Sequence, residues 1–303
     1  MNKINIVTSY FNPDTDGIAC SIAVAKILAM EGEQWFPAVL GSIGDETQFV
    51  LQQLGVAEPR ILSSVANVNK IALVDTHHRA QLPLDFLFEK VVLIIDHHPN
   101  GDDGLFPSAT ITNEKVGAAA SIVAKLLIER EILDATILQL LGCAILSNTL
   151  YFSAPSTTDF DRDIYARINE ITQISEEVID GMFEQRSLIL KKDMYAALRS
   201  DFKVFDTKSG KVGISQIEAY NLEVSIDIEK SISALKKIAH EKGLSLCLFN
   251  GVDIKTKRSF VLAANKESAS LLCKIFKLNN YTAPQVFNKI LLRKTDFVPL
   301  LNV

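Results

Sequence analysis

The sequence predicts an α/β protein of two domains: a doubly wound, mostly parallel sheet first, then a smaller α/β domain with a mixed sheet. Short apolar runs such as IALV and VVLII alternate with amphipathic stretches through the first half of the chain. Unbroken apolar runs suit strands covered on both faces, the mark of a parallel sheet. The length, 303 residues, exceeds one ordinary domain and suggests two.

INIVTSY, residues 4 to 10, reads as the first strand, and GIACSIAVAKILAMEG, 17 to 32, as a helix ended by glycine. WFPAVLG is a second strand and ETQFVLQQLG a second helix, and KIALVDT and VVLIIDHH follow as strands. From about residue 114 the pattern turns helical, with VGAAASIVAKLLIEREI, ATILQLLGCAILSN and acidic helices over 158–198 to cover the sheet.

The second domain has strands in DFKVFD and KVGISQIEAY around the turn DTKSG, then a long helix in SIDIEKSISALKKIAHEKG. LSLCLFNGVDI and RSFVLAANK form a hairpin-like pair, ESASLLCKIF a helix, and NKILLRKTDFVPLL a last segment. We place the boundary between 187 and 188, although the junction QRSLILKKDMYAAL looks helical and carries no proline or glycine.

Hydrophobic residues make up 48% of the chain and charged ones 22%, with a mean hydropathy of +0.18, which argues for a compact fold rather than a disordered chain. Thirty-one basic against thirty-six acidic residues leave a net charge of -5, which gives no general attraction to duplex nucleic acid or to an anionic membrane. The N-terminus has too short an apolar stretch for a signal peptide, so a soluble cytoplasmic protein is expected. Cys20, Cys143, Cys247 and Cys273 show no paired spacing and read as reduced core thiols.

Four of the five histidines stand in two adjacent pairs, His77 with His78 and His97 with His98. Each pair follows an aspartate, Asp75 or Asp96, at the end of an apolar strand, and Asp14 and Asp16 follow a third strand in NPDTD. Ligands of open parallel sheets bind outside the carboxyl ends of the strands, where all these groups would converge. Carboxylates and imidazoles without thiolates suit Mn²⁺, Mg²⁺, Co²⁺ or Fe²⁺ rather than structural zinc. Two such ions about 3.5–4 Å apart share a water, lower its pKa and clamp a phosphoryl oxygen, so phosphoryl hydrolysis is the natural reaction class.

The series NPDTD, VD, DHH and SNTLYFSAPST over residues 4–160 resembles the DHH phosphoesterase superfamily. The phrases DFKVFDTKSGKVGISQIE, ALKKIAHEKGLSLCLFNGVDI and LLRKTDFVPLL are similar to the second domain of its manganese-dependent, family II inorganic pyrophosphatase and exopolyphosphatase branch. The resemblance implies a two-domain hydrolase with its site in the cleft between domains and two divalent ions, Mn²⁺ first, with Mg²⁺ or Co²⁺ as alternatives. It makes Asp14 and Asp16 ligands of one ion each, Asp75 the bridge between them and His97 a ligand of the second. His98 would face the substrate phosphate, Asp96 would orient the imidazoles, and Lys203, Arg293 and Lys294 would grip the phosphate. The substrate implied is inorganic pyrophosphate, with short polyphosphate or a small nucleotidic phosphoester as alternatives, and a homodimer is left open.

The chain departs from the family pattern at three places. Tyr10 stands where the pattern has a histidine, and a phenol with a reference pKa of about 10 is a poor ligand at neutral pH. Asn148 stands where it has a metal-binding aspartate, so an amide oxygen would coordinate without bringing charge. Near the C-terminus Leu292, Arg293, Lys294, Thr295 and Asp296 replace Ser-Arg-Lys-Lys-Gln, which weakens the positive charge there. Three readings follow: His77 or His78 supplies the missing imidazole; one tight ion remains and serves a different phosphoester; or catalysis is lost and a binding or regulatory module remains. Gly117 reads as packing or a phosphate contact, GDDG (101–104) as a turn and His240 as a solvated helix-end residue.

Overall fold

The computed structural model describes residues 4–207 and 210–301. It divides into two compact units, residues 1–182 and 183–303.

In the first unit the chain runs β1 (Ile4–Thr8), α1 (Thr15–Met30), β2 (Trp35–Leu40), α2 (Asp45–Gln53), β3 (Arg60–Leu62), β4 (Val68–Val74), β5 (Val91–Asp96) and β6 (Thr110–Asn113). Helices α3 (Ala119–Glu129), α4 (Ala135–Asn148) and α5 (Asp159–Thr172) follow. The strands form one parallel sheet in the order β3-β2-β1-β4-β5-β6. Successive strand side chains point to opposite faces, and both faces are covered. Ile6, Ile71, Leu73 and Ile94 enter a core with Leu82, Phe86 and Phe106, while the alternate residues Val7, Ala72, Val74 and Ile95 are buried as well. Helix α1 is apolar nearly all round and packs against β1, α3 and α4, as a helix without a polar stripe must.

Helix α6 (Glu176–Lys192) carries the chain across the division between units. The second unit continues with α7 (Met194–Ser200), β7 (Phe202–Thr207), β8 (Gly210–Ala219), α8 (Leu222–Ser225), α9 (Ile228–Glu241), β9 (Leu246–Asp253), β10 (Arg258–Ala263), α10 (Lys266–Phe276) and β11 (Gln285–Phe287). Its sheet runs β11-β10-β9-β8-β7, with β8 and β9 parallel and every other pair antiparallel, the mixed sheet expected. The tip of the turn DTKSG, residues 208 and 209, lies outside the described residues.

The helical junction QRSLILKKDMYAAL is α6 and α7, separated at Asp193, whose carboxylate caps α7 through Ala196 N–H. Three short edge strands, β3, β6 and β11, carry no alternation long enough to stand out in the sequence. All four cysteines are free thiols. Among the described residues no helix is long and apolar enough to cross a membrane.

Candidate metal centre

The sheet order places β1 beside β4 and β4 beside β5. The chain moves outward from β1 through β2 to β3, then returns to the other side of β1 at β4. That reversal is the switch point at which open α/β sheets bind ligands, outside the carboxyl ends of the strands. Asp14 follows β1, Asp75 follows β4 and Asp96 ends β5, so the three sequence signals meet there.

Asp14 caps α1, its Oδ1 accepting from Asp16 N–H at 2.9 Å and Gly17 N–H at 3.2 Å. It is exposed. Asp16 is fully buried and accepts from the first turn of α3, Ala119 N–H at 2.9 Å and Ala120 N–H at 2.8 Å. Burial, with Asp14 nearby, raises its carboxyl to about 6, against the opposing charge of His97.

Asp75 leaves β4 with φ +58, a left-handed conformation sparse for residues other than glycine. Its side chain is buried, and Oδ1 has no hydrogen-bond partner. Burial and the charge of Asp16 push its carboxyl well up. His97 Nε2 stands 3.2 Å from that oxygen without the alignment of a hydrogen bond. The other ring nitrogen, Nδ1, is 2.9 Å from the carbonyl of Val116. A carbonyl only accepts, so Nδ1 carries the hydrogen and the Nε2 lone pair of the neutral ring faces Asp75, the usual way a metal-binding imidazole is oriented. Burial disfavours charge on His97, but Asp75 and Asp16 outweigh it and lift the imidazole to about 10. The proton that this lift keeps on Nε2 faces the orphaned Asp75 oxygen, and a divalent ion that displaces it would find the nitrogen and the carboxylate oxygen 3.2 Å apart. These residues fit a divalent ion.

Asp96 is the hub beneath. Oδ1 accepts from His97 N–H at 2.7 Å, His98 N–H at 3.2 Å and His98 Nδ1 at 2.8 Å, and Oδ2 from His77 Nδ1. Burial alone would raise its carboxyl, yet the bonds from His98 and His77 hold it down, at about 2. Ligand atoms of Asp75, Asp96, His97 and His98 lie within 4.8 Å of one another.

His77 and His78, expected to supply a missing imidazole, stand outside the cluster of ligand atoms formed by Asp75, Asp96, His97 and His98. His77 is buried, spends Nδ1 on Asp96 and turns Nε2 toward Asp103 Oδ1, 3.3 Å away. Its ring lies so close to Gly101 that a Cβ there would stand 1.5 Å from Nε2. The GDDG turn thus closes over His77, and its glycine is required. His78 packs its ring 5.2 Å from that of His77 and 6.1 Å from that of His98, outside the cluster of ligand atoms.

Asn148 ends α4 and is likewise not placed as an oxygen ligand. Its Nδ2 donates to Asp16 Oδ2 at 3.1 Å and Gly117 O at 3.0 Å. Both are acceptors, so the amide nitrogen faces the centre and Oδ1 is turned away. Tyr10 Oη accepts from Asp14 N–H at 3.1 Å, and burial together with the Asp14 and Asp75 charges pushes the phenol up. It stays protonated and is no ligand.

A cavity of about 790 Å³ opens beside the centre, lined by His97, His98, Asn113, Lys115, Asn148 and Thr157 among others. Asn113 and Lys115 were not singled out by the sequence: Asn113 ends β6, whose short TITN stretch carries no apolar run to announce it. Gly117 donates its N–H to Asp161 Oδ2 at 2.8 Å, and a Cβ would meet Asp161 and Thr149, so it is a packing glycine. Asp161, also missed, is buried and holds Ser121 and the Thr158 cap of α5 besides.

In the second unit Arg293 is buried at 4% exposure. Nη2 pairs with both oxygens of Asp201 at 2.7 Å, and Nη1 donates to Asp201 O at 2.6 Å and Ile214 O at 3.2 Å. The guanidinium expected to grip a phosphate is paired with Asp201 here, and its Nε is buried without a hydrogen-bond partner. Lys203 and Lys294 are exposed, with Lys203 Nζ 3.9 Å from Asp201 Oδ1. His240, near the end of α9, is exposed as expected.

Comparison with known proteins agrees with this arrangement. The DHH family N-terminal domain matches residues 3–145 and the DHHA2 domain residues 180–302. A manganese-dependent inorganic pyrophosphatase of Methanocaldococcus jannaschii is 32% identical over 97% of each chain, and a probable one of Clostridium acetobutylicum 29% identical over 99% of this chain and 98% of its own. The crystal structure of a putative family II inorganic pyrophosphatase from Methanococcus jannaschii superposes with a TM-score of 0.60 at 31% identity over 98% of each chain. The chain belongs to the DHH family, in the branch that joins a DHHA2 domain and comprises the manganese-dependent, family II inorganic pyrophosphatases.

Proposed function

We propose that this chain is a manganese-dependent phosphohydrolase that hydrolyses inorganic pyrophosphate. The observation that carries the reading is Asp75 Oδ1, buried and without a hydrogen bond, 3.2 Å from His97 Nε2 at the switch point of the sheet. Asp75 and His97 hold the ion, with the exposed Asp14 carboxylate beside them. A bound divalent ion neutralises charge on a phosphoryl oxygen and acidifies a water. Asp96 fixes His98 by Nδ1, which leaves Nε2 to meet a phosphate oxygen and pass a proton to the leaving group. Lys115 on the cavity wall supplies positive charge that the net charge of -5 does not.

A second reading has a specific observation behind it. The cavity is roomier than a diphosphate needs, and the Arg293 guanidinium is occupied by Asp201. The room favours a longer polyphosphate or a small nucleotidic phosphoester, and the occupied guanidinium favours the less charged phosphoester.

Phosphate release from pyrophosphate, tripolyphosphate and an adenosine bisphosphate, each with Mn²⁺, Mg²⁺ or Co²⁺, tests both. Pyrophosphate turnover with Mn²⁺ that Asp75→Ala abolishes is expected; preference for the longer compounds selects the second reading. Silence on all three, with Asp75→Ala indistinguishable, overturns both.

A further inference from the structure

The carboxylate of Asp16 is fully engaged by the protein itself. An ionised carboxylate offers about four lone-pair positions. Asp16 Oδ1 takes Ala120 N–H at 2.8 Å and Cys20 Sγ at 3.4 Å, and Oδ2 takes Ala119 N–H at 2.9 Å and Asn148 Nδ2 at 3.1 Å. Four donors fill four positions, and the side chain is fully buried. Asn148 completes the set only because its amide nitrogen, held also by Gly117 O at 3.0 Å, points inward. That nitrogen stands 3.4 Å from His97 Nε2, so it occupies the space between Asp16 and the imidazole that a shared cation would take.

The other flank is also short of ligands. Tyr10 accepts the Asp14 amide hydrogen and offers no imidazole. What remains is Asp75 Oδ1 without a donor, the exposed Asp14 carboxylate, and His97 Nε2, engaged only by the long 3.4 Å contact from Asn148 Nδ2 that an ion would replace.

We infer that the centre holds one divalent ion, seated on Asp75 and His97, and that the Asn148 amide stands in for the second. A carboxylate at this position would reverse the arrangement. It donates no hydrogen bond, so Asp16 would recover a lone pair, and two buried carboxylates side by side would require a cation.

The inference rests on the metal-dependent reading above and is tested apart from it. Mn²⁺ binding to the full chain is measured by equilibrium dialysis and by electron paramagnetic resonance, with circular dichroism as the check on folding. The expected result is one Mn²⁺ per chain with the hyperfine pattern of an isolated ion, and two per chain with exchange broadening in Asn148→Asp. Two ions in the unaltered chain overturn the inference and leave the hydrolase reading standing. One ion in both proteins, with Asn148→Asp folded, overturns the role of the amide. Binding of none overturns the inference and the metal-dependent reading together. Should Asn148→Asp fail to fold, the stoichiometry of the unaltered chain decides.

Discussion

His77 stands outside the cluster of ligand atoms, yet it fixes Asp96, which in turn fixes His97 and His98. Removing such a partner costs about 10–100-fold in metal affinity, and His77→Ala is expected to weaken Mn²⁺ binding by that amount in a titration. Asp75→Ala and His97→Ala, which remove ligands, should abolish it. Proton and metal compete for the same nitrogen: the His97 imidazole, lifted to about 10, must shed its proton before the ion binds. Below that pH the affinity should strengthen as pH rises, by about tenfold per unit for one proton released, and uptake in weak buffer should acidify the solution. The meeting of Asp14, Asp75 and His97 at one edge of the sheet was legible because strand ends mark themselves in the sequence. The filled valence of Asp16 was not, since three of its four donors belong to other helices. The pairing of Arg293 was hidden for a related reason: its partner Asp201 lies 92 residues away.

At the scale of elements, helix starts organise the wall of the cavity. Asp14 caps α1, Asp16 accepts from the first turn of α3, and Asp161 closes the capping box of α5 while holding Gly117 and Ser121. Asp161→Ala strands several buried donors at about 1–3 kcal/mol each before relaxation. We expect a loss of at least about 2 kcal/mol in urea unfolding, with Asp161→Asn recovering part of it. The Thr158-x-x-Asp161 box was readable from spacing alone. Leu150, Tyr151 and Phe152, each in the left-handed region with φ between +50 and +63, were not: no glycine announces the turn. They connect Asn148 to the cavity residues Pro155 to Thr158, and backbone in this region costs about 1–3 kcal/mol per residue unless its surroundings enforce it. The long central strands were readable from their apolar runs. The short edge strands β3, β6 and β11 were not, being set by neighbours rather than by pattern.

For the whole molecule, each unit has a core of its own, so damage can be assigned. The one tryptophan, Trp35, is buried in the first unit. Arg293→Ala removes a clamp from the second unit, where Asp201, at 44% side-chain exposure, can partly rehydrate; we expect a cost of about 1–3 kcal/mol. It should appear as an earlier transition by circular dichroism, with the Trp35 fluorescence transition and Mn²⁺ stoichiometry unchanged. A coincident shift of both signals would show that the units unfold as one. Two domains were readable from length. The division, near 182, was not, because it falls inside the continuous helix α6.

The contact between His77 and Asp96 also gives the centre a reporter. An imidazole hydrogen shut between a buried carboxylate and the Gly101 turn exchanges slowly with water. It should therefore give a separate, strongly downfield proton resonance in solution. Because His77 is no ligand, manganese's diamagnetic substitute Mg²⁺ would shift that line without removing it. Loading of the centre could then be followed at a single proton, with no substrate and no turnover.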